Sequence, residues 1–466
     1  MGGSRSRLFA WGVLFVVFVG VPFGILKYQA GRKGLSLGSF LTQAIGRVQN
    51  RREMPGSGTG ATGSTAVAGT NFFAKTSIGD PVQGKPWITH LMVVDLDRDG
   101  LKDVVICDSQ LNEVRWIRQF PKGVYTEKRI GDPVMAPAHV SACDIDGDGD
   151  TDLLVASMGM IFPNNDKIGS VVVLENDGRQ NFSNRVLLKD VARVTDVEAG
   201  DFNGDGRIDL AVGQFGYDDG EIRWLENKGN WVFESHVLLS MSGTIHTPVV
   251  DIDGDGDLDI VAIVSQEWEE LYVFENDGKG NFKNHMIWGS TNEDFGSSGI
   301  SIADLNRDGR PDILYTNGDA FDYIPPVPRP WHGVQWFENK GNLKFDYHRI
   351  ADFPGAYSAR AADFDNDGDL DIIAVSAFNR WEEPNAYSLM LLENVGNCRF
   401  VPRNLATQPT HLLVLDPADM DGDGWIDFVT GGMHFYPPYD RMSRILLWRN
   451  IWPDVFRKGN SGTRRR

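Results

Sequence analysis

The amino-acid sequence predicts an all-β chain: a seven-bladed β-propeller of four-stranded blades, preceded by one N-terminal transmembrane helix. Three observations predict the propeller. First, a nine-residue pattern, D-x-[D/N]-x-D-G-x-x-D, starts at Asp95, Asp144, Asp201, Asp251, Asp304, Asp363 and Asp419, at intervals of 49, 57, 50, 53, 59 and 56 residues. A near-constant period of this size signals a propeller or a solenoid. Second, each period holds four short apolar runs, such as "HTPVV" (246–250), "IVAIV" (260–264), "LYVFEN" (271–276) and "FKNHMI" (282–287). Runs this short, rich in Val, Ile and aromatics and bounded by turn residues, are strands, and four of them make a blade. Third, the ends of the repeat region are complementary. After the last motif only "FVTGG" (428–432) and "ILLWRN" (445–450) follow, so a strand is missing there. Ahead of the first motif, "NFFAKTSI" (71–78) belongs to no period and matches the fourth-strand type "NFKNHMI" (281–287). The N-terminal strand is therefore expected to complete the last blade and close the ring.

In chain order, residues 8–26 ("LFAWGVLFVVFVGVPFGIL") are 19 residues without a charge, close to the ~20 that span a bilayer core. The stretch exceeds the usual apolar region of a cleaved signal and lacks a clear small-x-small site after it. The expectation is an uncleaved membrane anchor within 1–30. Residues 31–70 follow as a linker, rich in Gly, Ser and Thr at 53–70 and hence flexible. The propeller occupies 71–455 and a basic tail 456–466. Nucleic-acid binding is not expected, because the chain carries a formal charge of −19. Cys107, Cys143 and Cys398 form no disulfide framework, and none reads as catalytic.

The repeated acids need an explanation, since like charges in a short turn repel. The pattern supplies oxygen ligands at positions 1, 3, 5 and 9 and a backbone carbonyl at position 7, while Gly at position 6 permits a sharp turn. A hard cation wants six to eight oxygens, which is the logic of a calcium loop. The acid at position 9 and the flanking strands distinguish it from the twelve-residue helix-flanked loop. The expected ligands are Asp95, Asp97, Asp99 and Asp103; Asp144, Asp146, Asp148 and Asp152; Asp201, Asn203, Asp205 and Asp209; and Asp251, Asp253, Asp255 and Asp259. Asp304, Asn306, Asp308 and Asp312, then Asp363, Asp365, Asp367 and Asp371, and lastly Asp419, Asp421, Asp423 and Asp427 complete them. Up to seven Ca²⁺ ions would take the formal charge from −19 to −5. The alternative is seven solvated acidic turns without metal.

On these motifs the chain resembles the FG-GAP/VCBS repeat propellers, the class that includes the integrin α-subunit head and many bacterial surface proteins. The resemblance covers roughly residues 71–452. The literal Phe-Gly and Gly-Ala-Pro signatures are mostly missing, with "QFGYDDG" (214–220) nearest, which favours the simpler bacterial type. The resemblance implies the fold and the metal and leaves the function open.

The nine histidines fall into two groups. His236, His285 and His348 each stand ten residues after the Glu of an "EN" strand end, in a slot that also takes Arg185, and read as structural. His90, His139 and His246 stand five residues before the first motif Asp, with Asp196, Gly299 and Ser358 in the same slot of other blades. His411 stands five before Asp416, with a three-residue insertion then reaching Asp419. Five strand residues span about 16 Å, which puts this slot at the end of the innermost strand away from the acids. His332 and His434 lie in loops at that same end, so all six are expected on one face. Those loops also carry Tyr323, Trp331 and Trp381 among acids and prolines. Aromatic platforms beside carboxylates suit a glycan or peptide, and loops on a rigid scaffold are where binding usually resides. The expected ligand site is His90, His139, Asp196, His246, His332, His411, His434, Trp331, Tyr323 and Trp381. A transition metal on three histidines and Asp196 is a further expectation; the bland alternative has the histidines capping loop backbones.

The leading functional expectation is a binding or adhesion module for a glycan or protein, held on a membrane and placed outside the cytoplasm, where millimolar calcium is available. The alternatives are a polysaccharide lyase or hydrolase working at the channel mouth, and a structural subunit of a surface assembly. No paired acid/base spacing demands catalysis.

Overall fold

A computed structural model of the chain describes residues 72–452 apart from 266, 267, 322 and 324. They belong to the second of two units, Pro55–Arg466. The expected anchor (1–30), linker (31–70) and tail (456–466) lie outside the described residues. Among the described residues no helix is long and apolar enough to cross a membrane.

Seven antiparallel sheets follow one another along the chain. In every blade the second strand begins on the ninth residue of the acidic motif, from Asp103 in blade 1 to Asp427 in blade 7, and the third strand ends on the Asn or Gln that closes the "EN" run. The acidic motif is thus the turn between first and second strands. Blade 4 differs in its first strand, which is split into Thr244–His246 and Val249–Val250 around Pro248, a residue with no amide to give a ladder.

The first strands of successive blades touch one another all the way round, and that of blade 7 touches that of blade 1. These strands line a central channel. The second strand of every blade is buried at each of its six residues, because blades pack against both of its faces. That double burial is why "VVICD" and "IVAIV" read as unbroken apolar runs and not as alternating ones. The apolar clusters accordingly lie between blades. Val105, Trp116, Val140, Leu153 and Val172, for example, join blades 1 and 2.

The ring closes as the chain ends predict. Phe73–Ser77 pairs antiparallel with Ile445–Asn450 as the outermost strand of blade 7. At this junction a buried ion cluster joins blade 7 to blade 1. Arg444 donates to both oxygens of Glu127 at 2.7 Å, Arg115 approaches Glu127 at 2.5 Å, and the Asp80 amide donates to Glu127 at 2.6 Å. Burial pushes the Glu127 carboxyl up, but the Arg444 hydrogen bonds outweigh it and hold it below its usual 4.5. A carboxylate with a depressed folded pKa stabilises the fold above the unfolded value and loses that contribution as pH falls through the folded one. Glu127→Gln should take the central carboxylate from the buried Arg444 and the half-buried Arg115, which keep only Asp108 and the pair Glu113 and Asp80, and cost about 3 kcal/mol at neutral pH. Urea midpoints measured between about pH 3 and 6 should then decline less steeply for the variant than for the wild type. Parallel declines would assign the acid sensitivity elsewhere.

Candidate functional site: the acidic turns and the opposite mouth

The seven turns share one hydrogen-bond pattern. The first Asp of each motif accepts from the amide of the sixth residue, Gly, as in Gly149 to Asp144 (2.9 Å) and Gly368 to Asp363 (3.0 Å). These glycines adopt positive φ, from 82° at Gly206 to 100° at Gly368, a backbone that a side chain would strain. The ninth Asp is a clamp. One oxygen accepts from the second residue's amide and the other from the amide ending the third strand, as with Asp427 accepting from Met420 (3.0 Å) and Asn450 (2.6 Å). The Asn450 side chain then donates to Phe364 O in blade 6, and Gln119, Asn276 and Asn339 reach the same carbonyl of the preceding blade. The repeated "EN" run is therefore a staple between blades. Burial pushes the clamping carboxyls up, to about 6 at Asp103 and about 7 at Asp259, despite these amides.

Whether the turns suit calcium can be judged from their oxygens. Asp95, Asp97 and Asp99 bring ligand atoms within 4.8 Å of one another, as do Asp144, Asp146 and Asp152, and Asp251, Asp253 and Asp255. Asp95 Oδ1, Asp97 Oδ1 and Asp421 Oδ1 are buried with no hydrogen-bond partner. Converging hard oxygens, some of them orphaned, fit a calcium-sized cation. The turns are unequal, however. Blades 3 and 5 have Asn203 and Asn306 at position 3, and Arg207 and Arg310 turn back onto Asp205 and Asp308.

The other end of the channel is a cavity of about 670 Å³ with walls from all seven blades. Its aromatic lining includes Trp87, Phe162, Phe321, Tyr323, Phe435 and Tyr436; its charged lining includes Glu269, Glu293, Asp294, Asp319, Lys85, Arg193 and Arg360. The aromatics support one another, with Trp87 and Phe435 centroids 4.4 Å apart and Phe321 and Phe378 4.7 Å apart. Arg329 lies 3.6 Å over the Tyr323 ring. In six blades the first strand carries a β-bulge just before the histidine slot. The bulged residues Thr89, Ala138, Thr195, Ile245, Tyr357 and Leu413 all line the cavity. A bulge re-aims side chains at a rim, and here it does so around the mouth.

The profile of FG-GAP-like repeats matches residues 95–155, 144–212, 201–262, 251–315 and 327–374, the first four windows each opening on a motif Asp. The chain belongs to the FG-GAP-like repeat family. It is 24% identical to mouse (Mus musculus) Cartilage acidic protein 1 over 324 residues, 62% of this chain and 47% of that protein. The chain thus spans less than half the length of that curated relative. Among solved structures it superposes on BBS1N from a mercury-soaked crystal with ARL6DN, at a TM-score of 0.52 and 12% identity, over 82% of this chain and 98% of that one. A lead-soaked crystal of the same complex gives 0.49 and 11%, over the same 82% and 98%. These likenesses concern the fold alone.

Within this FG-GAP-like propeller the expected mouth residues separate. His90, His246 and Tyr323 line the cavity, whereas His434 borders it fully buried, its Nε2 3.0 Å from Ser443 O. His139 and Asp196 lie in the channel wall beside them, their ring nitrogen and carboxylate oxygen 2.8 Å apart. Trp331 stays at the rim, its indole N–H donating to Asp294 O (2.9 Å). His332 and His411 are 1% and 3% exposed and Trp381 6%, so these three are packing residues. The Trp381 indole donates to His411 Nε2 (3.1 Å), and burial pushes His332 and His411 down to about 3.

The register corrects the expectation for His411. The slot pairs with the residue four beyond the ninth Asp, and in blade 7 that pair is Val414 with Gly431. Val414 stands five residues before Asp419 without any insertion, and His411 lies outside the strand. The outer histidines are structural as expected, with His236, His285 and His348 at 3.0, 2.7 and 2.9 Å from Glu226, Glu275 and Glu338.

Sequence reasoning missed a second channel position, three residues before the first motif Asp. It holds Met92, Ser141, Glu198, Pro248, Ser301, Arg360 and Asp416. Strand alternation puts it on the same face as the histidine slot two residues earlier, so the signal was present. Arg360 interacts there with Asp416, Glu198 and Asp196. Glu269, on the cavity wall, accepts from the Gly296 and Ser297 amides (3.1 and 3.0 Å), and burial pushes it up to about 8.

Proposed function

We propose that this chain is a ligand-binding propeller whose blade turns hold calcium on one face and whose opposite mouth takes a glycan or peptide segment. The observation that carries the reading is the mouth cavity, about 670 Å³ and lined from every blade, with aromatic faces set beside carboxylates and cations. Ring faces stack on sugar C–H surfaces or apolar side chains, while the charged groups read hydroxyls or backbone polar groups. The calcium reading rests on the converging turn oxygens, and the residues that would hold each ion are those at motif positions 1, 3, 5 and 9. Bound there, calcium would supply charge neutralisation and a rigid turn. The apolar stretch at 8–26 supports a membrane anchor, and the calcium reading favours a propeller outside the cytoplasm, where the ion is abundant.

A glycan and peptide array probed with the wild type and with Tyr323→Ala plus Asp294→Asn tests the binding reading. Both residues line the mouth, so the double variant should lose about 2 kcal/mol or more of binding while its melting temperature stays unchanged. Equal array signals from both proteins would rule out this cavity as the site. Catalysis is the second reading, favoured by Glu269, a buried cavity-wall carboxyl that keeps its proton near neutrality. Product release from a bound polysaccharide would decide for it.

A further inference from the structure

Two inward positions per first strand bring an unusual set of side chains together below the mouth. His139 of blade 2 faces Asp196 and Glu198 of blade 3: Nδ1 is 2.8 Å from Asp196 Oδ1 and Nε2 is 3.6 Å from Glu198 Oε1. The three residues present ligand atoms within 4.8 Å of one another. His246 of blade 4 approaches the second Asp196 oxygen, with Nδ1 at 3.7 Å. His90 of blade 1 lies against the His139 ring, centroids 3.9 Å apart. Asp196 is 1% and His139 7% exposed. His139 Nδ1 and Asp196 Oδ1 pair with each other at 2.8 Å and meet no other partner. A zinc-class ion, with bonds of about 2.0–2.2 Å, would enter by replacing this pair, taking one nitrogen of His139 and one oxygen of each carboxylate.

We propose that His139, Asp196, Glu198 and His246 enclose a site for one divalent transition ion of the zinc class, separate from the acidic turns. The donor chemistry selects the ion: imidazoles mixed with carboxylates suit zinc and its first-row neighbours, whereas calcium takes oxygens only. Charge points the same way. The acids Asp196, Glu198 and Asp416 outnumber the single guanidinium of Arg360, a surplus that favours a cation. The Thr247 amide donates to Asp196 Oδ2 at 2.6 Å and fixes that carboxylate, as outer partners of metal ligands do. His90, His246 and Arg360 also line the mouth cavity, so an open coordination position would face it. The ion is expected whichever ligand the cavity takes.

The test uses the full chain in detergent with saturating Ca²⁺, stripped with 1,10-phenanthroline and then titrated with Co²⁺ and with Zn²⁺. The expected result is one ion per chain, a visible Co²⁺ ligand-field spectrum, and displacement of Co²⁺ by Zn²⁺. His139→Ala with His246→Ala should weaken Co²⁺ binding by more than the ~100-fold typical of losing an outer partner, and Glu198→Gln by at least ~10-fold. His236→Ala with His285→Ala, on the outer strands, should bind as the wild type does. A folded wild type that takes up no Co²⁺ or Zn²⁺ beyond what the outer-strand variant loses would overturn the proposal. An unchanged spectrum in the inner double variant would do the same. Should that variant fail to fold, the wild-type stoichiometry together with Glu198→Gln decides, because Glu198 is 28% exposed in the channel and its amide fits the same space.

Discussion

A chain that begins at residue 81 should fail to close its ring, whereas one that begins at residue 61 should fold and leave the membrane fraction. The longer deletion removes Phe73–Ser77, the strand that pairs along its length with Ile445–Asn450. It also removes two aromatic anchors. Phe73 packs edge-on against Phe428 at 4.9 Å, and Phe72 stacks on Trp452 at 4.0 Å. Losing a buried Phe costs about 3–5 kcal/mol, and a domain has only about 5–15 kcal/mol to lose. Asp80, which donates to Glu127 at the blade 7 to blade 1 junction, goes as well. What remains is an unpaired edge on blade 7, a template for association with other chains. Size-exclusion chromatography and urea unfolding of the two proteins read the difference. Phe73→Ala in the full chain should show the same effect in part, about 3–5 kcal/mol. Identical behaviour of the two truncated chains would mean that the closing strand contributes nothing to stability.

Chelation should lower the melting temperature more than any single substitution does. The turns hold carboxylates in close groups, three of whose oxygens, on Asp95, Asp97 and Asp421, are buried without partners. A cation that binds only the folded form stabilises it by about 2.7 kcal/mol per site at a hundredfold excess over its Kd. Several such sites exceed the cost of any one side chain. A drop of at least about 10 °C on adding chelator is expected, reversed by Ca²⁺ at millimolar level and poorly by Mg²⁺, which holds its waters and prefers fewer protein ligands. Titration should resolve two classes. The turns of blades 3 and 5 carry three carboxylates in place of four, with Arg207 and Arg310 on one of them, and should fill last. Superimposable melting curves with and without chelator would leave the acids as metal-free turns.

The blade count, the strand order within a blade and the closing strand were all legible in the chain. Each rests on a local signal that survives any arrangement of the blades: the spacing of the acidic turns, the alternation of apolar runs with Gly/Asn turns, and complementary ends. The "EN" run was legible as a repeated strand end, but its reach to Phe364 or Ile252 in the preceding blade was not. That bond depends on how closely two blades approach.

The channel mouth divides in the same way. The sequence by itself determined that His90, His139, Asp196 and His246 share one slot on the innermost strands, because the slot is a fixed distance from each acidic turn. It also contained the companion slot of Glu198, Arg360 and Asp416, since strand alternation puts residues two apart on one face. Only the tertiary structure decided which of these meet. His139 finds Asp196 because blades 2 and 3 are neighbours whose first strands lie in register, a relation between segments 57 residues apart that no local periodicity encodes. The same holds for Trp381, expected in a mouth loop, and His411, expected in the histidine slot, which the packing of blades 6 and 7 buries against each other. Burial of a loop side chain is set by the width of the gap above it, and ring closure fixes that width.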